Sequence, residues 1–359
     1  MSRAGRAAGA APRVLVVRAG PVSLRTTARA VLVRTGLALS VLVVAAWAMT
    51  LGTYPVSPAE LLAALTGTAE PRTATVVLEW RMPRVLAAVL FGAALALSGA
   101  IFQSLTRNPL GSPDVIGFTT GSYTGVVVTL LLGGSGYLAT ATGALAGGLG
   151  TAFAVYLLAF RRGVQGFRLI VVGIAVSALL GSVNTWFSVK ADVDVALRAA
   201  VWGAGSLSAV DVTAVRLGAV ALAAIVLFGP VAQRRMRRLE LGDDAAAMLG
   251  IPVERTKALL IVLGVAAIAL VTAAAGPIAF IALAAPQIAR RVTGHGASVD
   301  LLGSALVGAL LLLVADVVAQ HAIPGVALPT GAVTVCLGGA YLVWLLARES
   351  RRSVEGRAA

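Results

Sequence analysis

Lysine is nearly missing from this chain: only Lys190 and Lys257 occur, and neither follows a glycine. A GxxxxGK[ST] phosphate loop is therefore excluded, because that loop needs its lysine on the nucleotide phosphates, and ATP binding of that kind goes with it. Cysteine occurs once, as Cys336 inside an apolar run. A disulfide framework and a CxxC metal site are ruled out, and Cys336 reads as a packing residue. The two histidines, His295 and His321, are far apart and away from any group of carboxylates. No ligand set for a bare metal ion follows from them, and both read as interfacial loop residues. Charge is scarce too: charged residues make up 12% of the chain against 58% hydrophobic, with a mean hydropathy of +0.93. That is too apolar for an ordinary soluble domain and reads as a polytopic membrane protein. No Ser/His/Asp or paired-acid arrangement offers catalysis. Ionisable groups within the apolar runs are nearly confined to Asp316, whereas ion-coupled pumps carry several. Asp316 reads either as a pathway residue or as a structural partner near the membrane surface.

What is present is a series of apolar runs. The first, 35–53, is of spanning length and lacks a convincing small-residue cleavage site, so it reads as a retained helix rather than a signal peptide. A spanning helix needs roughly 20 apolar residues, and charge-free runs divided at Gly/Pro breaks give ten spans. They cover 34–53, 84–105, 114–133, 137–160, 168–189, 212–232, 258–275, 278–292, 300–319 and 328–347. Gly133 to Gly136, Gly276-Pro277 and Pro324-Gly325 are the punctuating turns. The net charge of +14 is not a nucleic-acid footprint, since the arginines sit in short clusters between apolar runs without interleaved aromatics. With both ends placed in the cytosol, all but six of the 29 basic residues fall in inside segments, as the positive-inside rule demands of an even number of spans. The chain thus divides into a basic cytosolic tail (1–30), a ten-helix membrane domain (31–350) and a short cytosolic tail (351–359). Outside, Ser57-Pro58-Ala59-Glu60 reads as the start of a short surface helix through Leu65, with proline at its first position. Gly92, Ser98, Gly99, Gly147 and similar small residues let helix backbones approach closely in a packed bundle.

The one long polar segment with apolar spans on both sides is 233–257, QRRMRRLELGDDAAAMLGIPVERTK. Its middle, Gly242 to Gly250, has the form of a capped turn of helix: glycine at the start, Asp243 and Asp244 in the first turn where the helix dipole favours acids, and glycine at the stop. Pro252 forbids continuation. Two readings stand, a solvated connector or a handle for an outside motor. A membrane passage with no engine of its own needs outside energy, which favours the handle.

Several motifs in order resemble the FecCD-type permeases of ABC importers, the BtuC-like type II architecture that carries iron-siderophore complexes, haem or vitamin B12. They are Arg81-Met82-Pro83-Arg84, Ser98-Gly99, Gln103, Arg107-Asn108-Pro109-Leu110, Trp202-Gly203 with Gly205-Ser206-Leu207, Gly242 to Gly250, Gly276-Pro277-Ile278-Ala279-Phe280, Ala285-Pro286, Ala289-Arg290, Asp316 and Leu328-Pro329. Residues 98–118, 167–173, 235–254 and 338–342 are similar to the ferric-enterobactin type in particular. The resemblance implies an all-α membrane fold of about ten transmembrane helices. It implies a second permease subunit, an external siderophore-binding protein, and a cytosolic ATPase dimer that binds ATP and Mg while this chain binds no cofactor. By the same resemblance, Arg81 and Arg84 match the arginines on which the binding protein docks through acidic residues. Leu241, Gly242, Asp243, Asp244, Ala245, Ala246, Leu249 and Gly250 match the coupling helix seated on the ATPase. Asn108 and Leu110 match a loop that narrows the cytosolic end of the pathway, where a plain Asn-Pro turn is the other reading. Gln287, Ala327, Ala340 and Gln320 depart from the family pattern, the last standing where a third docking arginine is frequent. These departures suit one half of a heterodimer. The competing classes are an ATPase-independent secondary transporter and a membrane enzyme or scaffold; the few membrane carboxylates and the missing catalytic constellation count against them.

Overall fold

A computed structural model describes residues 14–19, 22–160, 165–294 and 299–358. His295, Arg161, Arg162 and the first thirteen residues lie outside the described residues. The tail before the first span is not featureless: β1 (Val14–Ala19) and β2 (Val22–Thr27) pair antiparallel, Val14 opposite Thr27, and α1 (Ala28–Thr50) begins six residues earlier than its hydropathy suggested. The earlier start follows from the cap: the Thr27 side chain accepts from the Ala30 amide, 3.2 Å away.

After α1 come α2 (Pro58–Thr66) and α3 (Pro71–Ala74). The expected surface helix is α2, closed by a full capping box between Ser57 and Glu60. From α3 the helix runs on through a π-helical stretch, Thr75–Arg81, into α4 (Met82–Thr106). The second span therefore starts at Pro71, not at residue 84, because Pro83 sits in the first turn of α4 and its missing amide is accommodated where the chain is already wound in the π form. Beyond α4 follow α5 (Phe118–Leu131), α6 (Tyr137–Ala159), α7 (Gly166–Lys190), α8 (Val193–Gly203), α9 (Val212–Leu239), α10 (Asp243–Met248), α11 (Val253–Ala275), α12 (Ile281–Thr293), α13 (Leu301–His321) and α14 (Thr330–Ala358).

Each of the ten expected spans has its helix. Among the described residues seven are long and apolar enough to cross a membrane, those of α1, α3 to α4, α6, α7, α9, α11 and α13, while α5 and the first half of α14 are shorter apolar helices. The helix of the span expected over 278–292, α12, is thirteen residues long with Arg290 and Arg291 in its last turn and is neither. The last helix continues to Ala358, so the expected C-terminal tail is helical.

The bundle is built around α4, which packs on α9, α11, α12 and α13. Two close approaches need glycine: a Cβ at Gly92 would lie 2.3 Å from the Gly308 carbonyl oxygen, and one at Gly99 only 1.7 Å from that of Ala282. Cys336 is exposed, contrary to its reading as a packing residue, because α14 turns Val333, Thr334 and Gly338 inward and Cys336 falls on the opposite side. His321 stands in the last turn of α13, its ring nitrogen 3.0 Å from the Val317 carbonyl oxygen, rather than in a loop.

Candidate functional site

Two polar clusters lie at opposite ends of α4. At its start, Arg84 meets Asp316 of α13, Nε to Oδ2 at 2.9 Å and an η nitrogen to Oδ1 at 3.0 Å. Asp316 is 2% exposed and also accepts from Thr330 at 2.8 Å and from Gln320 at 2.7 Å. A buried carboxylate so surrounded is satisfied at both oxygens. Of the two readings of Asp316, the structure supports the structural partner. Arg81 donates to the main-chain oxygens of Met49 (2.8 Å) and Tyr54, fastening the end of α1 to the π-helical stretch. Both arginines are half-buried. The exposed guanidinium beside them is Arg72, stacked over the Tyr54 ring at 5.2 Å, a residue that the motif reading passed over.

The other cluster surrounds α10. Gly242 (φ +113°) and Gly250 (φ +75°) take backbone conformations that favour glycine, so the two stops read from sequence are conformational necessities. Between them Ala246 is fully buried and Ala245 half-buried. Leu241, Asp244, Met248 and Leu249 are exposed, Met248 at 84%. Three apolar side chains thus stand out from a polar loop. Asp243 points back into the bundle rather than outward. Its carboxylate accepts from Lys257 at 2.6 Å and pairs with Arg107, and Lys257 is 7% exposed. Burial pushes the Asp243 carboxyl up, but Lys257 and then Arg107 outweigh it and hold the group below the ordinary carboxylate range. Arg107, the C-cap of α4 in the left-handed region (φ 49°), also donates to the Leu239 carbonyl at 3.2 Å. One acid therefore joins α10 to the ends of α4, α9 and α11.

The Asn108 loop sits beside this clasp. Asn108 accepts from the Leu110 amide at 2.9 Å, an Asx turn, and leaves Leu110 53% exposed. Gln287 holds the same loop through the Pro109 carbonyl at 2.8 Å, so this departure from the family pattern has a clear bond to make. Deeper in, Arg290 donates to Gln103 (2.8 Å), Gln103 to the Leu283 carbonyl (2.9 Å), and Ser104 to Glu240 (3.2 Å). Burial raises the Glu240 carboxyl above its ordinary range against the Ser104 hydrogen bond and the nearby Arg290 and Arg237. Gln103 and Arg290 were legible only as motif residues; that they touch was not.

The FecCD transport family matches residues 38–348. Over 306 residues the chain is 48% identical to the ferric enterobactin transport system permease protein FepG of Escherichia coli K12, covering 85% of this chain and 92% of that one. It is 33% identical to the iron(3+)-hydroxamate import system permease protein FhuG of Bacillus subtilis 168, covering 86% and 94%. Among solved structures, a metal-chelate type ABC transporter in an inward-facing conformation superposes with a TM-score of 0.78 at 26% identity, over 88% of this chain and 99% of that one. The chain belongs to the FecCD transport family.

Proposed function

We propose that this chain is the permease subunit of an ABC importer that moves a ferric siderophore of the enterobactin-like catecholate kind across the bacterial cytoplasmic membrane. Both termini and α10 lie in the cytosol, and the ten-helix domain spans 31–350. The observation that carries the reading is α10: it offers Leu241, Met248 and Leu249 to the outside while Asp243 ties it to the ends of α4 and α11. A partner seated on that face pulls on the bundle. The 48% identity to the ferric enterobactin permease supports the substrate class.

Membership of the family supports an ATPase and a binding protein as partners, and the departures at Gln287, Gln320, Ala327 and Ala340 suit one half of a heterodimer. A cytosolic ATPase dimer holds ATP and Mg and closes on α10, and a second permease subunit completes the pathway, as a heterodimer. An external siderophore-binding protein brings the chelate to Arg81 and Arg84, with the exposed Arg72 beside them. Carboxylates of that protein find two guanidiniums already fixed in place, which lowers the ordering cost of docking. Closure of the ATPase moves α10. The Asp243 clasp passes the movement to α4 and α11, and the Asn108 to Leu110 loop, held by Gln287, follows. Iron stays wrapped in its chelate, so the pathway supplies room and weak polarity rather than ligands.

The test is uptake of radiolabelled ferric siderophores by cells lacking only this chain, catecholate and hydroxamate forms side by side, with an ATPase-site mutant of the partner as control. Loss of catecholate uptake in both strains is expected. Loss of hydroxamate uptake alone would reassign the substrate, and unchanged uptake of both would overturn the reading.

A further inference from the structure

The last turns of α9 carry Val231, Arg234, Arg235 and Arg238 at positions i, i+3, i+4 and i+7, which places them on one face. That face, with Ile251 and Pro252 of the turn after α10, lines a half-open cavity of about 270 Å³. Among the described residues none of these three arginine side chains makes an ion pair or hydrogen bond within the chain, although other arginines at this end, Arg34 and Arg107, do. Three cations held around one cavity without an acid are a site waiting for an anion. The helix says which. Going back along the same face, Leu217, Val220, Leu227 and Val231 are 61%, 70%, 75% and 49% exposed, an apolar stripe that ends where the arginines begin. A soluble anion has no use for that stripe; an acyl chain does.

We propose that this cavity binds the phosphate headgroup of an anionic phospholipid, whose chains lie along the exposed stripe of α9. The placement rests on the cytosolic position of α10 proposed above. Its consequence is mechanical: the headgroup, held by the three α9 arginines, fills the space between the end of α9 and the Gly250–Pro252 turn that follows α10. Basic pockets at the cytosolic ends of membrane helices hold acidic headgroups by the same charge chemistry.

Native mass spectrometry of the purified full chain, delipidated and offered phosphatidylglycerol or phosphatidylcholine, tests this without any ATPase or siderophore, so its result is separate from that of the uptake experiment. Wild-type protein should retain phosphatidylglycerol and not phosphatidylcholine. The R234Q/R235Q/R238Q variant should bind it on the order of a hundredfold more weakly, since each basic group near an anionic surface is worth roughly fivefold. An R237Q/R255Q variant, altered at exposed arginines off the cavity, should bind as wild type does and so controls for folding and for the loss of positive charge nearby. Equal retention of the two lipids, an unaffected triple variant, or an equal loss in the control variant would overturn the proposal. So would full displacement of the lipid by glycerol phosphate at matched phosphate concentration, which would make this a soluble-phosphate site.

Discussion

Arg84 and Asp316 stand 232 residues apart in sequence and form a two-pronged ion pair, with Asp316 almost wholly buried. The pair joins the start of α4 to the end of α13, and Thr330 extends it to α14. It bears directly on docking: with Nε and one η nitrogen on Asp316, Arg84 is fixed in place and meets an incoming carboxylate through its other η nitrogen. Removing one partner leaves a buried charge uncompensated, at a cost of roughly 3–5 kcal/mol. Asp316→Asn should therefore destabilise the purified protein clearly in thermal unfolding. The R84Q/D316N double variant should lose much less than the sum of the two single changes. Additive losses would show that the two groups do not depend on each other.

The Asp243 clasp should matter for coupling more than for folding, since its carboxylate is 40% exposed. In the assembled importer, Asp243→Asn should leave ATP hydrolysis near wild type and cut uptake on the order of tenfold, within the range of ordinary coupling free energies. Uptake in step with hydrolysis would show that the clasp carries no movement. The group also gives a pH signature. Its folded-state value lies below 3.8, so its contribution to stability is complete above 3.8 and is lost as the pH falls through the folded-state value. The melting difference between wild type and Asp243→Asn should be constant from about pH 6 down to about pH 4 and shrink below that.

Gly99 faces the Ala282 carbonyl so closely that no side chain fits without backbone movement. Gly99→Leu should force α4 from α12 and lose folded protein on size exclusion, beyond the roughly 1–3 kcal/mol of ordinary overpacking. Gly150, with nothing within 4 Å of its added methyl, should accept alanine without loss. A Gly99→Leu protein as abundant and as stable as wild type would mean that the approach of α4 to α12 is looser than it stands here.

Much of this was readable in advance from local chemistry. Spans follow from hydropathy, which each stretch carries whatever its neighbours do, and breaks follow from glycine and proline. The limits of α10 were legible for the same reason: Gly242, the two acids and Gly250 specify a turn of helix within nine residues. The surface helix α2 was likewise written in Ser57-Pro58-Ala59-Glu60. The start of the second span was not, because hydropathy sees the charges of Arg81 and Arg84 and stops, whereas the helix continues through them once their guanidiniums find partners on other elements.

The order of the helices, the glycine stops of α10 and the family motifs are properties of short stretches, and the amino-acid order is enough for them. Which charges meet is not. Arg84 with Asp316, Asp243 with Arg107 and Lys257, Gln287 with the Pro109 carbonyl and the side of α14 on which Cys336 falls all depend on distances between residues remote in the chain. Hydrogen bonds and ion pairs act over a few ångströms of space, and only the packing of α4 among α9, α11, α12 and α13 brings those groups within reach.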